Sequence, residues 1–276
     1  MKFKRSERLI DMTNYLMTHP RTLISAGFFI KRYDSAKSSI SEDLGIMKAT
    51  LETQKIGSIE ITNGPTGGVR FIPSIGAEEA KTVTEALIKE LSEPTRRLPG
   101  GYVYMSDILG DPQMIRNIGR ILASEYVHSA VDVVMTVETK GIPLAQAVAE
   151  QLNVPFIIVR HDAKITEGST ISVNYVSKSS EQIKKMELSK RSLPVQSKVL
   201  VVDDFLKGGG TIAAMTNLIQ EFDAELIGVS VFAEGSYNGT RSISEYTSVL
   251  KVDTSADDTI KITSGNYQKR IFKGEK

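Results

Sequence analysis

Residues 199–211 read VLVVDDFLKGGGT. The four apolar residues at 199–202 have the unbroken hydrophobic character of a strand covered on both faces. Two adjacent carboxylates, Asp203 and Asp204, end the run, and Phe205 follows them. Lys207, Gly208, Gly209 and Gly210 make a turn, and Thr211 opens the helical pattern TIAAMTNLIQEF at 211–222. Each part has a physical use. Glycines let backbone N–H groups approach a phosphate closely, and a helix N-terminus adds positive potential. Paired carboxylates accept hydrogen bonds from vicinal hydroxyls, such as the 2′ and 3′ groups of a ribose. Neither GxxxxGK[ST] nor GxGxxG occurs, which sets aside a Walker loop and a dinucleotide fingerprint.

Around this stretch, β-branched runs alternate with helical ones. VDVVMTV (131–137), VPFIIVR (154–160), KVLVVDD (198–204) and ELIGVSVF (225–232) read as strands, and PLAQAVAEQL (143–152) as a helix. Such alternation predicts an α/β fold with a Rossmann-like parallel sheet. Ligands of such sheets sit beyond the carboxyl ends of the strands, here 138–142, 161–176 and 203–211.

The first 73 residues follow another plan. Helical spacing occurs in 6–18, with Ser6 as a cap, in 22–33, and in 38–53, where Ser39 and Glu42 have capping-box spacing. Two alternating runs, 56–62 and 68–73, flank the Gly/Pro-rich turn NGPTGG. Three helices and a hairpin match a winged helix, whose third helix enters the major groove. Lys37, Ser38, Ser39, Ser41 and Lys48 are the candidates to face base edges, and Lys4, Arg5, Arg8 and Arg70 to face phosphates. Phosphate contacts make such binding salt-dependent. The other reading of this order is a helical cap with a hairpin, used for dimerisation. Residues 1–73 hold 11 Lys+Arg against 7 Asp+Glu, and the remainder 23 against 26, so the front is the basic part. A boundary falls near Pro73, giving domains 1–73 and 74–276, with a helix over 77–91.

The 276 residues, 41% hydrophobic and 24% charged, suit two ordinary domains with packed cores. No run of about 18 apolar residues marks a membrane span, and the N-terminus lacks the apolar core of a signal peptide. The cytoplasm is therefore the expected compartment. Absence of cysteine excludes disulfides and thiolate metal sites, and no metal site is expected.

VLVVDDFLKGGGT resembles the phosphoribosyl pyrophosphate motif of type I phosphoribosyltransferases. By the same resemblance, VETKGIP at 137–143 corresponds to the pyrophosphate loop, through Thr139, Lys140 and Gly141. Residues 160–177 take the place of the flexible loop, with Arg160, Lys164, Ser169, Thr170 and Tyr175 expected to face an anion. Taken alone, Lys140 reads as a solvated charge and 160–177 as a surface hairpin. Tyr102 and Phe205 read equally as ligand-flanking or packing aromatics.

Together with MKFKRSERLIDMTNYL, SSISEDL and LPGGYVYMSDILG, these motifs resemble bacterial purine operon repressors of the phosphoribosyltransferase-fold type over essentially the whole chain. That resemblance implies a homodimer that binds double-stranded operator DNA of purine synthesis and transport genes and does no chemistry. It implies antagonism by phosphoribosyl pyrophosphate, with or without Mg2+, competition by nucleotides such as guanosine tetraphosphate, and no obligatory cofactor. Phosphoribosyltransferases usually carry Thr, Ser or Ala where this chain has Lys207. No clear general acid or base serves a purine leaving group; His161 is the nearest candidate. The alternative is a xanthine-type phosphoribosyltransferase with an added front domain.

Overall fold

The structure is a computed structural model. It describes residues 3–64, 66–98, 102–162, 165–177, 182–254 and 260–273. The chain forms two compact units, Met1–Gly76 with Gln151–Asn153, and Ala77–Glu150 with Val154–Lys276.

The first unit contains α1 (Arg5–Thr18), α2 (Ala26–Tyr33), α3 (Lys37–Thr53), β1 (Gly57–Thr62) and β2 (Gly68–Pro73). β1 and β2 pair antiparallel from Gly57↔Pro73 to Thr62↔Gly68. Met12, Leu16, Phe29, Ile40, Leu44, Met47 and Leu51 recur at helical spacing and meet Ile59, Val69 and Phe71 of the hairpin in one core. Three sequence expectations need correction here. Ser6 does not cap α1. Lys4 takes that position, and the Glu7 carboxylate accepts its N–H at 2.7 Å. α2 starts at Ala26 and not at Thr22, because Ile24 exchanges two backbone hydrogen bonds of 2.8 Å with Val69 and extends the hairpin. Ser25 then caps the helix by accepting from the Phe28 N–H at 3.2 Å. Ser39 and Glu42 form no capping box. α3 starts at Lys37 after an extended Ala36, and Glu42 instead meets Arg5 at 3.3 Å.

The second unit begins with α4 (Ala77–Leu91), the bounds expected. A short ladder of β3 (Arg97–Leu98) and β4 (Tyr102–Val103) follows, then α5 (Ser106–Gly110) and α6 (Pro112–Ala123). Asp111 caps α6 by accepting from Gln113 and Met114 N–H at 2.9 and 2.7 Å. The remaining elements are β5 (Val133–Val137), α7 (Gly141–Leu152), β6 (Phe156–Val159), β7 (Thr170–Ser177), β8 (Gln182–Ser189), β9 (Lys198–Leu206), α8 (Gly210–Glu221), β10 (Glu225–Gly235), β11 (Thr247–Asp253), β12 (Lys261–Ser264) and α9 (Tyr267–Ile271).

Six strands form one sheet in the order β12-β11-β10-β9-β5-β6. All neighbours are parallel except β12, which runs antiparallel to β11. Val133, Met135, Val199, Val201, Val229 and Val231 pack with Ile212, Met215, Leu218 and Ile219 of α8. The alternate residues Val134, Leu200, Val202 and Phe232 are also buried, as strands covered on both faces require. β7 and β8 form a separate antiparallel hairpin. Its Met186 and Leu188 belong to the α8-side core, with Ile171, Val173 and Tyr175 packed against it. Two strands run past their expected ends: β9 continues to Leu206 and β10 to Gly235, where they stay paired through Glu234↔Leu206. No helix described is long and apolar enough to cross a membrane.

Candidate functional site

Chain order runs outward from β5 to β6 on one side and from β9 through β10 to β11 on the other. The direction reverses between β5 and β9, and the crevice outside their carboxyl ends is where open α/β sheets bind ligands. The residues following β5 are 138–141, and those following β9 are 207–211.

These two loops lie together. A Cβ on Gly141 would overlap the Thr136 hydroxyl and stand 3.3 Å from the Asp203 carboxylate, so only glycine fits where the first loop enters α7. The Glu138–Thr139 peptide is cis. Thr139 and Lys140 are exposed beside it. Asp203 is buried, with 4% exposure, and its carboxylate accepts the Asp204 N–H at 2.9 Å. Burial, and then the neighbouring Asp204 charge, hold the Asp203 carboxyl well above the usual carboxylate range. The two aspartates lie within β9 and not at its end, and Asp204 is the half-buried one.

The glycine turn is gripped from behind. The Lys207 carbonyl accepts from Arg241 Nε at 3.1 Å, and the Gly208 carbonyl from the Ser242 N–H at 3.0 Å. Gly209, at φ 80°, is the N-cap of α8, and Gly210 and Thr211 form its first turn. The Lys207 ammonium lies 5.7 Å from the ring centroid of Tyr102, which is 53% exposed. Phe205 is half-buried, with its ring against Gly235, where an added Cβ would meet it at 2.7 Å. Its packing role is thus plain. Tyr175 faces inward from β7. Burial raises its phenol, the Asp203 charge adds to this, and a hydrogen bond with Thr211 opposes it.

One expected anion ligand is otherwise engaged. Arg160 is ion-paired to Glu138 and to Glu167, each at 3.1 Å, because a half-buried guanidinium between two carboxylates is satisfied there. Lys164 lies outside the described residues. Ser169 and Thr170 begin the hairpin, and Thr170 donates to Glu187 at 3.1 Å. His161 Nδ1 lies 3.1 Å from the Lys185 carbonyl, and the His161 backbone N–H donates to Glu138 at 2.9 Å. Sequence reasoning missed Glu138 as the organiser of Arg160 and His161, and missed Arg241 altogether. A carboxylate directly after the strand was a signal for the first; Arg241, in a polar loop, offered none. Among the described residues no group of three His, Cys, Asp or Glu side chains is placed to hold a metal.

The first unit carries the other candidate surface. Lys37, Ser38 and Ser41 are exposed at the start of α3, Ser39 partly so, and Lys4 is exposed at the start of α1. Arg8, 13% exposed, turns inward, whereas Arg5 reaches the same carboxylate while staying 52% exposed. Asp43 has no exposure, and its two oxygens accept from Arg5 Nε and Arg8 Nε at 3.0 Å each. A buried carboxylate demands such partners, so these arginines tie α1 to α3. Arg70 bonds its cross-strand neighbour Glu60 at 2.6 Å, and Lys48 lies 3.9 Å from Glu52. The Lys48–Glu52 pair is exposed and of small energetic weight, and the Arg70–Glu60 pair is partly buried.

Residues 4–73 match the family model described as bacterial purine repressor, N-terminal, and residues 105–266 match the phosphoribosyl transferase domain. The purine biosynthesis transcriptional repressor PurR of Bacillus subtilis is 51% identical over 275 residues, covering 99% of this chain and 96% of that protein. The purine biosynthesis transcriptional activator PurR of Lactococcus lactis subsp. lactis is 51% identical over 265 residues, 95% of this chain and 98% of that protein. A xanthine phosphoribosyltransferase of Deinococcus deserti is 28% identical over 161 residues, 57% of this chain and 83% of that protein. Likeness to the regulators thus spans nearly the whole chain and likeness to the enzyme little more than half of it, and the chain belongs to the bacterial purine biosynthesis transcriptional regulators, a family of transcription factors built on a phosphoribosyltransferase fold.

Proposed function

We propose that this protein is a repressor of purine synthesis and transport genes whose operator binding is antagonised by phosphoribosyl pyrophosphate. The observation that carries the effector reading is the meeting of Gly141 with Asp203 where the sheet reverses. It brings a loop suited to a diphosphate against a carboxylate suited to ribose hydroxyls. In this reading the amides of Gly208 to Thr211 and the N-terminus of α8 take the 5′-phosphate. Asp203 and Asp204 accept from the 2′ and 3′ hydroxyls. The 139–141 backbone, with Lys140, takes the diphosphate. Tyr102 and Lys207 border the phosphate turn, and Tyr175 covers Thr211. Mg2+ enters, where it is bound, as the counter-ion of the diphosphate, keeping most of its waters. Guanosine tetraphosphate carries the same ribose and phosphate groups and competes for the pocket.

The protein acts in the cytoplasm as a homodimer on double-stranded DNA, reading base edges through Lys37, Ser38, Ser39, Ser41 and Lys48 and phosphates through Lys4 and Arg70. Effector and operator must favour different states of the protein, and their coupling is reciprocal. Catalysis would need more than this binding: the site must favour a transition state over bound substrate, and the His161 ring is engaged with the Lys185 carbonyl.

Replacing Asp203 and Asp204 with Asn tests the assignment. The expected variant binds promoter DNA like the wild type and no longer releases it on addition of phosphoribosyl pyrophosphate. Release at wild-type effector concentrations would show that the ligand sits elsewhere.

A further inference from the structure

Three consecutive glycines are the least ordered backbone a chain can offer, yet an anion site needs N–H groups already aimed. Arg241 resolves this conflict. Its planar guanidinium carries five donors in a fixed fork. Nη1 donates to Glu234 Oε2 at 2.8 Å and meets the Tyr246 hydroxyl, and Nη2 donates to the Gly235 carbonyl at 2.6 Å. Those partners sit at the ends of β10 and β11, and all are held. Tyr246 donates to Glu234 Oε2 at 2.7 Å and Ser248 to Oε1 at 2.9 Å. A further donor, Nε, reaches out of this frame to the Lys207 carbonyl. The next residue, Ser242, holds the Gly208 carbonyl through its N–H.

In a trans peptide the C=O and the following N–H point in opposite directions. Anchoring the carbonyls of Lys207 and Gly208 on the 241–242 side therefore turns the N–H groups of Gly208 and Gly209 the other way. Among the described residues neither N–H has a backbone acceptor in a turn, loop or cap.

We propose that Arg241 is a positioning residue of the effector site, fixing the 207–209 turn so that its amides stand ready for the 5′-phosphate. This rests on the reading of 203–211 as the phosphate site. The rival role, neutralising Glu234, needs only a cation. Arg241→Lys separates the two, because lysine keeps the charge beside Glu234 but loses the fork that spans to the turn.

The experiment is titration calorimetry of the full chain with two probes, ribose 5-phosphate and inorganic pyrophosphate, alongside thermal melts. Wild type is expected to bind both. R241K is expected to melt near the wild type, to bind ribose 5-phosphate about tenfold or more weakly, as loss of a charged hydrogen bond predicts, and to keep its pyrophosphate affinity. Wild-type affinity of R241K for ribose 5-phosphate would overturn the positioning role and leave the site reading intact. Equal loss of both probes with a lowered melting temperature would also overturn it, in favour of a structural role. Failure of the wild type to bind ribose 5-phosphate would sink the site reading and the proposal with it.

Discussion

Replacing Asp43 with Ala should loosen the first unit and leave the second alone. Its carboxylate is 1% exposed, and it receives Arg5 Nε at 3.0 Å and Arg8 Nη2 at 2.9 Å. Removing one partner of a buried ion pair costs about 3–5 kcal/mol, because the other charge is left uncompensated. The Arg8 side chain is 13% exposed and bears that penalty, whereas Arg5, at 52%, regains water. The discounted cost lies at the low end, about 3 kcal/mol. Exchange of the most protected amides follows opening of the whole cooperative unit, so a 3 kcal/mol loss speeds it about 100-fold. Hydrogen exchange with mass spectrometry on the full chain reads this separately for peptides from 5–18, 37–53 and 198–206. The expected result is a large acceleration in the first two and none in the third. Unchanged exchange in 5–18 and 37–53 would refute the reasoning and return Arg5 and Arg8 to the list of free surface cations.

Three further outcomes are expected. Lys4→Ala should reduce the slope of log affinity for DNA against log salt by about one, as loss of one phosphate-range cation does, while Arg8→Gln should lower the folded population and leave the slope of the folded protein unchanged; the readout is anisotropy of labelled DNA across a salt series. Asp203→Asn should stabilise the fold at pH 7.5 by about 1 kcal/mol, a trade of function for stability. The sign follows from the raised folded pKa of Asp203. Such a group favours the fold below its unfolded value of 3.8 and loses that contribution as pH rises through the folded value. The gain in melting temperature should therefore shrink as pH falls toward 4, and a gain that grows in acid would contradict it. Gly141→Ala should cost about 1–3 kcal/mol through overlap with buried Thr136, and the added Thr136→Ala should recover part of the lost melting temperature.

Where local pattern and burial agree, the sequence is readable. The 77–91 helix has its expected bounds, and β9, α8 and β10 follow from continuous apolar runs joined by a glycine turn. The sequence alone points to the loops after β5 and β9, and Gly141 meets Asp203 between them. What escaped depends on tertiary partners. Helical spacing puts Asp43, three residues after Ile40 and four before Met47, on the buried face of α3 and leaves Glu42 off it, but which cations of α1 meet Asp43 there depends on packing, so Arg8, which looks like a surface charge, becomes an internal tie. Arg160 misled for the same reason, since Glu138 and Glu167 reach it from separate segments. Ile24 left the helical pattern because its backbone is worth more as a partner for Val69. Other signals were present and unused. Asp111 followed by Pro112 is a helix start, and it opens α6. Arg241 is different: its four partners come from Lys207, Glu234, Gly235 and Tyr246, and no spacing rule connects them.

The central claim is that one protein couples a ribose-phosphate pocket to DNA release, and anisotropy of a labelled purine-gene promoter fragment, with and without phosphoribosyl pyrophosphate, tests it most directly. The account predicts binding about a thousandfold or more tighter than to random DNA at physiological salt, weakening as the effector is added. Promoter affinity that stays constant while calorimetry shows the effector bound would contradict it.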